Sequence, residues 1–411
     1  MKYRIKALFV CFLVFIIICF PCSILADDTS DTIEPLESII VSANTSKNVD
    51  LEIYSKSAVI YERNSHIVLY EKNSNEVVPM ASTTKIMTCI LILENCNLDT
   101  VVTVSSNAAS TIGSRLGLST NDQITVQDLL YGLMLCSGND AATCLAETCS
   151  GSVEEFAVLM NTKASELGLS STSFVTPHGL DDDNHFTTAY DYAILTDYAL
   201  NNPLFKQIVG TKYYTVTLNG SSKQIHNTNE LLGSVDGVYG VKTGYTSKAG
   251  RCLVSAAVRG NLDIIVVVFG ADTKNIRNTD SIKLINYAFS NFEIFDMATL
   301  INNKYNEYLS YYLPYTSIDK SFDSLSTYLD EFDTKAYPIK SSDSNTYFAS
   351  LTTYDLEAPI EKDQVVGVID VWLNNSKIYS VNIYSSAYIK RKEAVDYLLF
   401  FISQYKSFYT L

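Results

Sequence analysis

Basic residues, histidines and metal-binding cysteine pairs are all scarce in this sequence. Its 30 Lys and Arg face 45 Asp and Glu, which gives a net charge of −15. Because proteins that bind nucleic acid need cations to neutralise phosphates, this balance argues against a nucleic-acid partner. The four histidines are scattered and no Cys-x-x-Cys pair occurs, so we predict neither a metal nor a cofactor. A Ser-His-Asp triad finds no support either, since a Gly-x-Ser-x-Gly motif is missing.

A long, purely apolar run occurs only near the start of the chain. Basic residues at positions 2, 4 and 6 precede an apolar stretch from Ala7 to Phe20, and Ala26 is a small residue before two aspartates. We interpret residues 1–26 as a signal peptide, which predicts an exported protein. The alternative is an uncleaved anchor helix, but the run is shorter than the ~20 residues that span a bilayer. Removal of the three basic residues leaves a charge of −18, and residues 27–47 are predicted to form a flexible leader.

The cysteines that follow the predicted signal peptide are even in number, which would permit disulfides outside the cell. Most of them lie within apolar periodic segments, where a free cysteine behaves as a small buried hydrophobic residue. We therefore favour buried thiols over a disulfide framework. The six residues are Cys89, Cys96, Cys136, Cys144, Cys149 and Cys252.

The order of strand-like and helix-like segments predicts an α+β fold. Short β-rich runs near Ser57 and between Tyr239 and Phe269 flank a mostly helical stretch, in which residues 126–134 form one amphipathic helix. This order predicts an antiparallel sheet flanked by helices, with a helical subdomain inserted, over residues 48–292. Alternating apolar and polar residues then predict a small all-β domain over residues 293–385.

The last segment, residues 386–411, is predicted to be an amphipathic helix. A basic cluster at positions 390–392 precedes apolar residues at helical spacing, and polar residues at 396, 403, 407 and 410 lie on the opposite face. Its fully apolar core is too short to span a bilayer. We predict that the helix binds the membrane surface, and the alternative is a helix packed on its own domain.

A first chemical motif is Ser82-Thr83-Thr84-Lys85 at a predicted helix start. Residues at i and i+3 share one helix face, so Lys85 can lie beside the Ser82 hydroxyl. A serine becomes nucleophilic when a base takes its proton, and a desolvated lysine near other positive charge can be that base. Taken alone, Ser82 could equally be an ordinary N-cap.

Two further motifs contain groups that suit the same chemistry. Ser137 and Asn139 lie at a predicted break between helices, where Ser137 could relay a proton and Asn139 could hold a substrate amide. An interhelical turn would explain the same residues. Lys242, Thr243 and Gly244 lie on a predicted strand, where the first two can bind a carboxylate and the glycine admits a substrate backbone.

The three motifs together are more specific than any one of them. They occur in the order Ser-x-x-Lys, Ser-x-Asn, Lys-Thr-Gly, with gaps of 55 and 105 residues. Class A β-lactamases and penicillin-binding proteins have this ordered set. The stretches around Ser82, 173–180, 226–232 and 240–246 resemble the low-molecular-mass penicillin-binding proteins that are serine D-Ala-D-Ala carboxypeptidases. The strand-rich domain and the final helix fit the plan of that family too.

The resemblance implies a role for each motif residue. Ser82 would be the acyl-ester nucleophile, Lys85 the proton acceptor and Ser137 the proton relay. Lys242 and Thr243 would bind the terminal carboxylate of a peptidoglycan stem peptide ending in D-Ala-D-Ala, and the N–H groups of Ser82 and Tyr245 would form an oxyanion hole. β-Lactams would acylate Ser82 as covalent inhibitors.

Two departures and two alternatives accompany the resemblance. Some family members have Arg at the position of Thr228, and some have His at the position of Tyr245. A class A β-lactamase would need a glutamate to activate water, and the nearest candidate, Glu166, falls at a predicted helix end. A non-catalytic β-lactam sensor is the second alternative, which the intact motifs and the lack of several membrane helices disfavour.

Overall fold

The fold was described from a computed structural model, which covers residues 51–321, 323–341 and 345–408. The predicted signal peptide and leader lie outside these residues. Ahead of residue 293, the chain is built around one five-stranded antiparallel sheet with the order β2-β1-β9-β8-β7. Its strands are β1 (Ser57–Glu62), β2 (Val68–Lys72), β7 (Val238–Thr246), β8 (Gly250–Arg259) and β9 (Leu262–Ala271).

Helices and two small hairpins fill the chain between β2 and β7. The helices are α1 (Lys85–Asn95), α2 (Ser106–Ser110), α3 (Val126–Met134), α4 (Asn139–Ser150), α5 (Val153–Glu166), α6 (Ala189–Leu200) and α7 (Pro203–Val209). The hairpins are β3 (Val101–Thr103) with β4 (Gln123–Thr125), and β5 (Tyr213–Leu218) with β6 (Ser221–His226). Side-chain caps define several helix starts; the Thr125 hydroxyl, for example, accepts the Asp128 N–H at 3.1 Å. The α+β prediction for this part is confirmed.

The central sheet is apolar on both faces because helices cover both. One face packs against the helices between β2 and β7, with Val254 and Val267 buried between them. The other packs under α8 (Lys274–Asn291) through Leu284 and Ala288. Strand β7 is left at the edge of the sheet.

A separate apolar core lies in the strand-rich C-terminal part, where Phe295, Ile301, Tyr337 and Ile369 are buried together. Its four-stranded sheet has the order β12-β17-β16-β14. The strands are β10 (Phe292–Asp296), β11 (Ile318–Asp319), β12 (Thr327–Leu329), β13 (Ala336–Lys340), β14 (Tyr347–Thr353), β15 (Leu356–Glu357), β16 (Val365–Leu373) and β17 (Ser376–Ser385).

This part also contains a helix that the sequence analysis did not predict. Helix α9 (Met297–Glu307) continues into a π turn and a 3₁₀ turn that end at Tyr315. It buries Met297 and Ile301, which are four residues apart, so its apolar face is one narrow stripe among polar residues.

The chain ends in helix α10 (Ala394–Phe408). Its apolar side chains are strongly exposed, from 38% for Phe400 to 66% for Phe401. Residues 409–411 and the side chain of Ser407 lie outside the described part, so the predicted polar face is only partly visible. Within the described residues, no helix has both the length and the apolar character that a membrane span requires.

Candidate active site

The first motif lies where a short 3₁₀ turn, Ala81–Thr84, leads into α1. Lys85 is the first residue of α1, so the predicted helix start at Ser82 is the 3₁₀ turn rather than the α-helix itself. The Lys85 Nζ lies 2.9 Å from the Ser82 Oγ. No side-chain cap bond forms at either helix start, which removes the interpretation of Ser82 as a simple N-cap.

Lys85 is fully buried and has three oxygen neighbours. Besides Ser82, its Nζ donates to the Asn139 Oδ1 at 2.7 Å and to the His178 carbonyl at 2.8 Å. These last two oxygens can only accept hydrogen bonds. A neutral amine has two N–H groups and one lone pair, so both hydrogens would be used and the lone pair would face the Ser82 hydroxyl. The geometry therefore suits a neutral lysine acting as a base.

The electrostatics of the site favour that neutral form. Burial holds the pKa of Lys85 well below its ordinary value, and the nearby positive charge of Lys242 lowers it further. The Asp140 carboxylate acts in the opposite direction. Desolvation is the largest of these effects, which makes the low-dielectric surroundings of Lys85 the principal reason that it can release its proton.

The second motif occupies the break between α3 and α4, as the sequence predicted. Ser137 has a φ of 61°, a left-handed conformation that costs a non-glycine residue about 1–2 kcal/mol. Its side chain lines a cavity together with Ser82. Asn139 is engaged at both ends of its amide, because its Nδ2 donates to the Ile112 carbonyl at 2.7 Å. In this structure Asn139 positions Lys85, and its predicted contact with a substrate amide remains a prediction.

The third motif lies on the edge strand β7, beside the Ala81–Thr84 turn. A Cβ added at Gly244 would stand 3.1 Å from the backbone nitrogen of Ser82, a tight contact that a larger residue could make only if the turn shifted slightly. The buried Lys242 donates to the Thr243 carbonyl at 2.9 Å, and burial lowers its pKa to about 7. The Thr243 and Thr228 hydroxyls are 2.7 Å apart, which ties residues 227–229 to the strand.

These elements surround a cavity of about 400 Å³, a size that suits a small ligand. The predicted residues Ser82, Ser137, Thr243, Gly244 and Tyr245 all line it, whereas Lys85, Asn139 and Lys242 are buried behind its walls. Other lining residues were not predicted from the sequence: Ser114, Cys136, Asn227, Glu230, Arg251, Lys274 and Arg277.

Two histidines that received no role in the sequence analysis support the nucleophile turn. The His178 carbonyl accepts from Lys85, which no side-chain pattern could reveal. The Nδ1 of His185 accepts the Val175 N–H at 2.9 Å, so in the neutral ring its Nε2 carries the hydrogen and donates to the Thr84 hydroxyl at 2.8 Å. Burial lowers the pKa of His185 to about 4, which keeps the ring neutral near pH 7.

Asp140 was likewise missed. It is fully buried at the start of α4, and its carboxylate accepts the N–H groups of Leu116, Gly117 and Leu118 at 2.8–3.0 Å. A helix N-terminus stabilises a carboxylate in this position. Asp140 therefore holds the loop before β4 against the helix that begins with Asn139.

Other candidates from the sequence lie outside the cavity. Glu166 ends α5, is half-exposed and pairs with Lys163 at 3.0 Å, as expected for a helix terminus. In the acidic run at positions 181–183, Asp181 accepts from Thr246 and Asp183 pairs with Lys248. The six cysteines are free thiols, but only Cys89, Cys144 and Cys252 are buried as predicted.

Comparison with known proteins agrees with this geometry. A family model described as D-alanyl-D-alanine carboxypeptidase matches residues 42–273. The chain belongs to the D-alanyl-D-alanine carboxypeptidase family. A second model, described as the C-terminal domain of penicillin-binding protein 5, matches residues 334–391. The resemblance stated from the motifs is thereby confirmed, and so is the strand-rich character of the C-terminal region.

Individual relatives cover different shares of the chain. DacF of Bacillus subtilis is 42% identical over 245 residues, which are 58% of this chain and 63% of that protein. DacA of Haemophilus influenzae is 32% identical over 342 residues, or 81% of this chain and 84% of that protein. Both are named D-alanyl-D-alanine carboxypeptidases. The match to DacF thus spans less than two thirds of that relative.

Two solved structures are similar as well. The crystal structure of a Streptomyces DD-transpeptidase is 35% identical, with a TM-score of 0.56, and the match covers 58% of this chain and 97% of that one. A D-alanyl-D-alanine carboxypeptidase DacD from Francisella tularensis matches 84% of this chain and 96% of its own, with a TM-score of 0.62. Its identity is 24%, so it supports the fold alone.

Proposed function

We propose that this protein is a serine D-Ala-D-Ala carboxypeptidase, which removes the terminal D-alanine from peptidoglycan stem peptides. The observation on which this rests is the contact of the buried Lys85 amine with the Ser82 hydroxyl at 2.9 Å. A nucleophile in hydrogen-bonding reach of a base, with the base oriented by further groups, is the arrangement that acyl transfer requires.

In the first half-reaction, Lys85 takes the Ser82 proton while Oγ attacks the carbonyl carbon of the penultimate D-alanine. The carbonyl oxygen becomes an oxyanion, which the N–H groups of Ser82 and Tyr245 would bind. The close approach of Gly244 to the Ser82 nitrogen supports this pairing, because it places the residue before Tyr245 beside Ser82. The C–N bond then breaks, and the proton that Lys85 took from Ser82 passes through the Ser137 hydroxyl to the leaving amine, which leaves Lys85 neutral.

In the second half-reaction, water attacks the acyl-enzyme ester. Lys85 accepts the proton of the water and returns it to Ser82 Oγ as the ester C–O bond breaks. The shortened peptide leaves and the free hydroxyl is restored. A β-lactam would follow the first half-reaction only, since its leaving group stays tethered to the acyl-enzyme.

Recognition of the substrate would combine the strand edge with the local cations. Strand β7 is an edge strand, so an extended peptide can pair with its backbone. In this proposal Lys242, in its cationic form, and the Thr243 hydroxyl would hold the terminal carboxylate. The acidic chain as a whole repels an anionic peptide, so this recognition has to be local.

The proposal includes export and attachment to a membrane surface. The sequence of residues 1–26 supports export. The exposed apolar side chains of α10, among them Leu398, Phe401 and Tyr405, support interfacial binding, because water-exposed clusters of this kind are unusual. The basic cluster before the helix would add attraction to anionic lipids.

The decisive experiment measures D-alanine release from an acyl-D-Ala-D-Ala pentapeptide and maps the residue labelled by a fluorescent penicillin. We expect release by the wild-type protein, label on Ser82, and neither in Ser82→Ala. Release that survives Ser82→Ala, or label on another residue, contradicts the proposal. Hydrolysis of penicillin at many turnovers per second would instead indicate a β-lactamase.

A further inference from the structure

Two arginines on the cavity wall have no part in the chemistry described so far. Arg251 is on β8 directly opposite Tyr245 of β7, so the two side chains project from the same face of the sheet. Arg277 lies on α8 and is almost fully buried. Both line the same cavity as Ser82 and Thr243.

The Arg251 guanidinium is held by an aromatic ring rather than by an acid. Its central carbon lies 3.7 Å from the centroid of the Tyr245 ring. Such stacking orients the planar guanidinium and leaves its N–H groups free at the edge. Among the described residues, no carboxylate lies within ion-pairing distance of Arg251, although Asp and Glu outnumber Lys and Arg in the chain.

The positive charge of the neighbouring Arg277 makes the unpaired state of Arg251 unfavourable. The Nε and Nη2 of Arg277 donate to the Asn278 amide oxygen, which is neutral. Burial lowers the pKa of Arg277 and the Glu230 carboxylate raises it, while the charge of Arg251 lowers it, so the two guanidinium groups repel each other. Glu230, the acid on this wall, is paired with Lys274. An anion entering the cavity would relieve this repulsion.

We propose that Arg251, braced by the ring of Tyr245, is a binding residue for the terminal carboxylate of the substrate. Thr243 lies two residues before Tyr245 on β7, on the same face, so the carboxylate can lie between its hydroxyl and the Arg251 fork. The Thr228 hydroxyl, which lies 2.7 Å from the Thr243 hydroxyl, is neutral and brings no charge to the carboxylate. Arg251 then supplies the bidentate contact that a threonine cannot. This inference rests on the proposed function, because it assigns a residue to the same substrate.

The test compares two substrates that differ only in the charge that Arg251 would meet. One is an acyl-D-alanyl thioester whose leaving group bears a free carboxylate, and the other is its carboxamide; the activated thioester lets both react. In Arg251→Gln we expect kcat/KM for the carboxylate to fall about tenfold or more, as for loss of a charge-assisted bond, with a change below about threefold for the amide. Arg251→Lys should show an intermediate loss.

Lys248→Gln is the matched control, since it removes one positive charge from an exposed residue outside the cavity. It should leave both substrates unaffected. An equal loss on both substrates in Arg251→Gln would mean that Arg251 only braces Tyr245, and no loss on either would mean that Arg251 has no role in binding. Each result would overturn this inference and leave the proposed function unaffected. Failure of the wild-type protein to react with either substrate would overturn the proposed function as well.

Discussion

The orientation of Lys85 by Asn139 gives the sharpest prediction about the chemistry. Asn139 Oδ1 is 2.7 Å from the Lys85 Nζ. Asn139→Asp keeps the size of the side chain but places a negative charge at that oxygen. The carboxylate stabilises the protonated lysine, so the pKa of Lys85 rises and less of it is available as a base near pH 7.

The size of this effect follows from the distance. At an effective dielectric constant of about 20, a unit charge at this separation contributes ~6 kcal/mol, which corresponds to an upper bound of ~4.5 pKa units. Even a third of that would move the acidic limb of the kcat/KM profile to higher pH by more than about one unit. Asn139→Ala removes the acceptor without adding charge, so its activity should fall ~10–100-fold with a much smaller shift of that limb.

The assay is D-alanine release measured from pH 4 to pH 10 for the wild-type protein and both variants. The profile of kcat/KM reports the pKa values of the free enzyme. Circular dichroism and thermal unfolding would check that each variant is folded. A limb that stays in place or moves to lower pH in Asn139→Asp would refute the assignment of Lys85 as the base.

Three further outcomes are expected. Gly244→Ala should lower kcat at least ~10-fold, because its Cβ would press on the Ser82 nitrogen. The rate of penicillin acylation tests this, and an unchanged rate would show that the Ala81–Thr84 turn can move aside. His185→Leu leaves the Val175 N–H without its acceptor, so urea unfolding should show a loss of about 1–3 kcal/mol, whereas an unchanged midpoint would mean that the loop rearranges. Lys242 is cationic below its pKa of about 7 and neutral above it, so kcat/KM should decline on the alkaline side from near pH 7 while kcat declines less; a profile flat to pH 9 would exclude that role.

Local sequence patterns were sufficient for the parts of the fold and site that depend on short spacings. The i, i+3 spacing of Ser82 and Lys85 places both side chains on one helical face, and the contact of 2.9 Å follows directly. Helix α3 agrees with its predicted bounds because its apolar stripe is uninterrupted. By contrast, the apolar spacing of the sequence predicts a helix only from Ser281, whereas α8 begins at Lys274. The first turns of α8 are mostly polar, so no apolar periodicity marks where the helix starts. The start is instead defined by Thr273, whose hydroxyl accepts the Ile276 N–H.

The rest of the site depends on contacts between residues distant in sequence. The pairing of Arg251 with Tyr245 depends on the register between β7 and β8, which the alternation within either strand does not determine. The carbonyl of His178 is a backbone group, so its contact with Lys85 leaves no side-chain signature. Arg277 reaches the cavity from a helix that follows the last strand of the sheet, a position that only the packed fold reveals.

The two buried lysines show why the three motifs function as one unit. Both are desolvated, yet the proposed reaction needs Lys85 neutral and Lys242 charged at the same pH. The two positive charges disfavour each other, so the pair loses one proton well before the other. Their neighbours differ: Lys85 has two strict acceptors and a hydroxyl that can donate to a lone pair, whereas the Lys242 amine donates to the Thr243 carbonyl behind the cavity wall. A bound carboxylate would stabilise the charge on Lys242, and the positive charge of Lys242 in turn favours the neutral form of Lys85.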